Sequence, residues 1–355
     1  MWKKTSLWLN FLAPAIALAP FSFAQEKPAA HAHHGAFMQG GMHHAAAKGV
    51  TLDSQVDSNA HSVTLRVGPL NLPANTDHMK MPQPPDLIWA VPFEGWLLAY
   101  HPRLVEGNGG PVPGTVLHHT AFWNENRADF LCPNKEEHIF GAGSEMTDWA
   151  EMPGYGYHVQ KGDKIRIETM VYNPTATSYD KVYLEVQIPF VDASAGSVGK
   201  MVHNFYPAWM DVNSCGGSSY DLPAGKSTKS GTVTVKYDGV LLGVGGHLHD
   251  YGRQIVLQDS SRKETVATLD ATVDAGGHLE SVPVKLFLQE GGYKFAANDV
   301  LKISAAYDNP TGKLLSDGAM GIAVGYFVPV NDKAMAALRR KARPSHNMAA
   351  TSHDH

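Results

Sequence analysis

The sequence contains few of the residues that define several common protein classes. Only two cysteines occur among 355 residues, Cys132 and Cys215, which excludes a fold built on many disulfides but allows one disulfide in an oxidising compartment. The formal net charge is -5, which argues against a nucleic-acid partner. After the first 24 residues, no run is long and apolar enough to span a membrane. Nucleophile elbows, phosphate loops and cysteine-rich zinc patterns are also lacking.

The first 24 residues have the layout of a secretory signal. Two lysines precede an apolar run that ends at Ser22-Phe23-Ala24, where small residues predict cleavage after Ala24. A membrane anchor is the alternative, but Pro14 and Pro20 interrupt the run. We therefore expect a secreted or periplasmic protein that has no membrane partner once the signal (1–24) is removed.

Both ends of the remaining chain are rich in Ala, His and Met. Residues 25–50 are predicted to be a disordered tail, because they have little periodic apolar content. Residues 333–355 are predicted to form a helix and a histidine-containing tail. The helix would cover "DKAMAALRRKAR", with Asp332 as its N-cap. Imidazole and thioether groups are ligands that suit copper in its two oxidation states.

Between the tails, short β-branched and aromatic segments alternate with Gly, Pro, Asn and Asp, which favours strands. The sequence predicts an all-β protein with two tandem antiparallel, jelly-roll-like β-sandwiches, at 51–195 and 196–332. The boundary falls within the loop-like segment "PFVDASAGSVGKM". The clearest predicted strands are Ile165–Tyr172, Val182–Ile188, Thr232–Tyr237, Gln254–Gln258, Val300–Tyr307 and Gly321–Val328.

The segment "GVGGHLHDYG" places two histidines, His247 and His249, on one face of a predicted strand. Such a pair alone is also compatible with an ordinary solvated strand. Met320, between a Gly/Asp turn and the last strand, is a candidate third ligand, although most methionines fill cores. Two imidazoles and one thioether suit redox-active copper better than zinc.

A second candidate pair, His118 and His119, lies in "TVLHHTAFWN". Neighbouring residues of a regular strand point to opposite faces, so both rings reach one ion only where the backbone is irregular. The alternative is one buried, hydrogen-bonded histidine and one exposed histidine.

In order and spacing, His118-His119, His247-Leu248-His249 and Met320-Gly321-Ile322 resemble the ligand motifs of the copper type II ascorbate-dependent monooxygenases. This is the family of peptidylglycine α-hydroxylating monooxygenase and dopamine β-hydroxylase. The resemblance covers roughly residues 60–330 through short motifs. It implies two sandwiches, up to two copper ions, ascorbate or another external reductant, and hydroxylation of an aliphatic carbon with dioxygen. "GNGGPVPGTVLHH" and "YDNP…GAMGI" are also similar to the stress-up-regulated nodulin-19 family and its secreted bacterial relatives.

The sequence departs from the monooxygenases at three positions. Met170, in "IRIETMVYNP", stands where the monooxygenases have the third histidine of the first copper site. His158 is the alternative candidate for the third ligand of that site. Gly245 and Val324 replace the Arg and Tyr that the amidating enzymes use for their peptide. A peptidylglycine substrate is therefore excluded, and the expected small-molecule substrate is unknown. A non-catalytic copper-binding or copper-delivery protein is the alternative function, and a β-sandwich protein without metal is a third.

Overall fold

The computed structural model describes residues 47–76, 80–145, 148–196 and 199–339. The predicted signal, most of the N-terminal tail and the end of the C-terminal tail lie outside these ranges. The strands of the first half are Thr51–Asp57 (β1), Ser62–Leu72 (β2), Leu87–Ala90 (β3), Gly95–Leu97 (β4), His101–Glu106 (β5), Leu117–Ala128 (β6), Glu136–Gly143 (β7), Tyr155–Val159 (β8), Lys164–Val171 (β9), Tyr179–Asp192 (β10) and His203–Asn204 (β11).

The strands of the second half follow without a long break. They are Tyr206–Asp211 (β12), Tyr220–Leu222 (β13), Gly225–Thr234 (β14), Gly239–Leu248 (β15), Gly252–Asp259 (β16), Glu264–Asp270 (β17), Thr272–Val273 (β18), Leu279–Ser281 (β19), Lys285–Leu286 (β20), Tyr293–Phe295 (β21), Val300–Asn309 (β22), Leu315–Ala319 (β23) and Gly321–Pro329 (β24). Short 3-10 helices cover Gly114–Val116, Gly199–Met201, Leu288–Glu290 and Asp332–Leu338.

The predicted all-β, two-sandwich fold is confirmed. In the first half a seven-stranded sheet, β1-β2-β10-β4-β8-β11 with β5 beside β10, faces the sheet β3-β9-β6-β7. In the second half the sheet β12-β24-β15-β20, with β21 beside β15, faces β14-β22-β16-β17. The pairs are antiparallel except β8 with β11. Because β11 lies beyond residue 195, the chain enters the second half between Asn204 and Tyr206.

Two local predictions needed correction. The segment Thr232–Tyr237 is strand only as far as Thr234. The predicted α-helix is a 3-10 helix that ends at Leu338, and Asn331, not Asp332, caps it by accepting a hydrogen bond from Lys333 N at 3.2 Å. Asp332 instead accepts hydrogen bonds from Asn204 and Tyr206, so tertiary partners take the side chain that the sequence assigned to the cap.

Strand β24 contributes side chains to the cores of both halves. Strand β24 is apolar on both faces, and Ile322, Val324 and Tyr326 pack in the core of the first half while Ala323 and Phe327 pack in that of the second. A strand buried on both faces is typically apolar at every position, as "GIAVGYFV" is. The interface between the halves is therefore a hydrophobic layer built around β24.

The loop between β6 and β7 joins the halves a second time. Phe130, Leu131 and Cys132 are buried in the core of the second half. The Asp129 carboxylate stabilises this loop by accepting hydrogen bonds from Leu131 N at 2.8 Å and Cys132 N at 2.7 Å. Cys132 and Cys215 form a disulfide across the interface, with their Cα atoms 5.6 Å apart.

The described residues contain no helix long and apolar enough to cross a membrane.

Candidate metal centre

The histidine pairs of the two halves lie next to each other. The ring centroids are 5.2 Å apart for His118 and His119, and 5.5 Å apart for His247 and His249. The His118 ring lies 6.1 Å from the His249 ring, across the interface between the sandwiches. Two motifs that are more than 120 residues apart in sequence thus form one four-histidine cluster.

The backbone is irregular at the His118-His119 pair. The register of β6 against β9 shifts between Leu117 and His119, so the two neighbouring rings are not forced to opposite faces. Their Nδ1 atoms are 3.3 Å apart. The backbone irregularity that both rings need in order to reach one ion is therefore present.

His247 and His249 lie at the end of β15, beside β24. In the antiparallel register His247 pairs with Ile322 and Leu248 with Gly321, so His249 comes next to Met320 at the strand end. Residues paired in this way project from the same face of a sheet. Met320 is buried in the core that faces the first half. His247 thus lies near the end of β15, whereas His249 and Met320 lie one residue beyond the adjacent ends of β15 and β24.

Gly246, immediately before His247, allows close packing behind the pair. A Cβ atom at this position would lie 2.4 Å from Ile255 Cδ1 and 3.0 Å from the Ile322 carbonyl oxygen. The glycine-rich approach to the histidines therefore lets β15 lie against the second sheet.

Tyr307 holds the His249 and Met320 segments together. Its buried hydroxyl accepts hydrogen bonds from His249 N at 2.9 Å and Met320 N at 3.1 Å, and donates one to the Met320 carbonyl. Burial raises the pKa of Tyr307 well above its usual value, so the hydroxyl keeps the proton that it donates. The sequence analysis missed this residue, because a tyrosine on a strand carries no mark of such a role.

Glu145 reaches His247 from the other half of the molecule. It follows β7, and its Oε1 atom lies 2.9 Å from His247 Nδ1. Burial alone raises the pKa of Glu145, but the charge of His247 and the hydrogen bond from it outweigh burial and lower the pKa below its usual value. The second oxygen, Oε2, is buried without a hydrogen-bond partner among the described residues. The sequence analysis missed Glu145 as well, since only tertiary packing places it beside His247.

The two remaining candidates of the first site lie in different places. Met170 on β9 pairs directly with His119 on β6, where the matching histidine of the monooxygenases was expected. His158 lies on β8, where its ring contacts Trp96 and its Nε2 atom is 3.6 Å from Glu94. Burial lowers the pKa of His158. His158 is thus not brought to the His118-His119 pair, whereas Met170 is.

The donor types of His247, His249 and Met320, two imidazoles and one thioether, suit copper. Among the described residues, no three His, Cys, Asp or Glu side chains are grouped so that they could hold one ion. A carboxylate on His247 Nδ1 orients the ring and leaves Nε2 to bind a metal.

A comparison of the chain with protein-family models finds no matching family. A comparison with curated proteins finds no match either. The fold and the site together define a two-sandwich β protein with a histidine cluster between its halves.

We expect Glu145→Gln to weaken copper binding by about 10- to 100-fold, the usual cost of losing the partner of a metal-binding histidine. Glutamine keeps the size and a hydrogen-bond acceptor but loses the charge. A competition titration of Cu²⁺ against a chelator measures the change. Asp148→Asn is the matched control, because Asp148 is exposed and its carboxylate contacts His101 instead. Equal copper affinities for Glu145→Gln and the wild type would contradict this role.

Proposed function

We propose that the protein is an exported copper protein related to the copper type II ascorbate-dependent monooxygenases, and that it hydroxylates an aliphatic carbon of a small molecule. The observation that carries the proposal is the four-histidine cluster between the sandwiches, with a buried carboxylate on one ring. The disulfide supports an oxidising compartment, since disulfides are rare in reducing ones.

In this proposal His247, His249 and Met320 hold one copper, and His118, His119 and Met170 hold another. When bound, copper supplies the dioxygen and single-electron chemistry, with ascorbate or a similar reductant as the electron source. Glu145 keeps the His247 proton on Nδ1, and Tyr307 keeps the Met320 segment beside His249.

The test is copper stoichiometry and ascorbate-dependent oxygen consumption of the full chain. His247→Ala with His249→Ala is expected to weaken one copper by roughly 100-fold or more, because even the loss of a ligand's partner costs 10- to 100-fold. His118→Ala with His119→Ala is expected to remove the other copper. His203→Ala is the control, since His203 is exposed and its ring contacts Tyr155. The histidines of the tails are present in every variant and cancel in the comparison.

A non-catalytic copper carrier is the second candidate. The thioether of Met170 opposite His119 favours it, since thioethers suit reduced copper. Tight copper binding without oxygen consumption would support the carrier. If neither double variant loses copper, both the monooxygenase and the carrier function are overturned.

A further inference from the structure

An apolar cavity opens beside the histidine cluster. Its volume is about 190 Å³, somewhat larger than an apolar cavity of roughly 150 Å³ that holds a benzene molecule. The Trp149 and Trp209 rings line it with their centroids 5.7 Å apart, and Tyr326 meets Trp149 edge-on at 5.3 Å. His247 forms part of the same wall. A molecule in this cavity would therefore lie between aromatic rings and a candidate copper ligand.

The charges around the cavity oppose an anionic ligand. No lysine or arginine is among the described residues that line it. The Glu145 carboxylate lies in the wall, and its Oε2 atom is buried there. An anion would lose its hydration and meet like charge without a cation to pair with.

A cationic ligand gains little more. Glu145 Oε1 already lies 2.9 Å from His247 Nδ1, which leaves only the Oε2 atom of this carboxylate for a cation. Asp148, the other carboxylate of the wall, is 66% exposed and lies 3.4 Å from His101. A buried cation would therefore lose more hydration than these groups return. An uncharged ligand avoids both costs.

The rim of the cavity is apolar as well. Val284, immediately before the short edge strand β20, and Leu286, at its end, line the cavity and are 49% and 48% exposed. Aliphatic side chains kept in water at the edge of an apolar cavity favour the entry of an apolar molecule.

We propose that this cavity binds an uncharged, predominantly apolar small molecule, which enters past Val284 and Leu286 and lies beside His247. That this ligand is the substrate rests on the proposed function, whereas its binding does not require copper.

The test is isothermal titration of the metal-free full chain with three probes of equal length: 1-octanol, octanoate and octylammonium. We expect saturable binding of 1-octanol, and at least about tenfold weaker binding of both ions because of their desolvation. If either ion binds as tightly as the alcohol, or if the alcohol does not bind, the proposal is overturned.

Two variants locate the binding. Val284→Asp is expected to weaken 1-octanol binding by about tenfold or more, because it places a charge at the rim. Val330→Asp is the matched control, since Val330 is 80% exposed and does not line the cavity. Gly245→Arg is expected to make octanoate the preferred probe. A Cβ at Gly245 approaches only Val284 Cγ2, at 3.2 Å, so the Val284 side chain must move by a few tenths of an ångström to accept it.

Failure of the cavity proposal and failure of the proposed copper function give different results. Wild-type affinity for 1-octanol in Val284→Asp would overturn the cavity proposal whatever the copper content. Binding of 1-octanol by a protein that takes up no copper would leave the cavity proposal standing and end the copper function.

Discussion

Tyr307→Phe is expected to lower the free energy of unfolding by about 3 kcal/mol, because the change leaves buried polar groups unpaired at roughly 1–3 kcal/mol each. The lost hydroxyl bonds His249 N, Met320 N and the Met320 carbonyl. Relaxation of the strand ends recovers part of the cost. Under the proposed function, the same variant is expected to weaken copper binding roughly tenfold, since it loosens the segments of two proposed ligands at once. Urea denaturation and a copper competition titration measure the two effects.

Tyr100→Phe is the matched control for Tyr307→Phe. Tyr100 is also fully buried, but its hydroxyl has no hydrogen-bond partner among the described residues. Removing a buried hydroxyl that makes no hydrogen bond costs little and can stabilise a protein. We expect Tyr100→Phe to keep or slightly raise the unfolding free energy and to leave copper binding unchanged. Equal losses of stability in the two variants would contradict the role given to Tyr307.

Loss of the disulfide is the second large effect expected. Cys132 and Cys215 are 83 residues apart, and closing a loop of that length stabilises the folded state by roughly 4 kcal/mol in the chain-entropy account. The bond also holds the β6–β7 loop in the core of the second half, where Phe130 and Leu131 are buried. We expect Cys132→Ser with Cys215→Ser to lose about 2–5 kcal/mol of unfolding free energy.

Reduction of the wild type supplies the control for the disulfide variant. Because Cys215 is exposed, a thiol reductant should reach the bond and lower the midpoint of urea unfolding towards that of the double variant. The double variant itself should not respond to the reductant. A wild-type midpoint that stays unchanged after the thiols are shown to be reduced would contradict this contribution.

The strands were largely predictable from local patterns, because burial on one or both faces selects apolar residues at fixed intervals. The segments at Gln254, Val300 and Gly321 were predicted within two residues at each end. The cap of the C-terminal helix was not predicted, since the side chain of Asp332 is bound by Asn204 and Tyr206 and Asn331 caps the helix instead. Competition of this kind depends on residues that are distant in sequence and leaves no local signal.

The candidate site divides in the same way. Its histidines and Met320 could be found because metal-binding residue types recur in recognisable short motifs. Glu145 and Tyr307 could not, because a glutamate in a loop and a tyrosine on a strand are common. Their roles depend on contacts with His247 and with His249, over sequence separations of 102 and 58 residues.

The sequence by itself determined the all-β class, the two-sandwich layout and the candidate ligands, because these depend on residue type and short-range periodicity. Only the tertiary structure decided that the two histidine pairs meet, that His158 lies elsewhere, and that an apolar cavity lies beside His247 with no lysine or arginine among its described lining residues. The physical reason is that these features depend on how the sandwiches pack around strand β24, which is buried on both faces. That packing is set by the summed burial of many side chains, and no short motif encodes it.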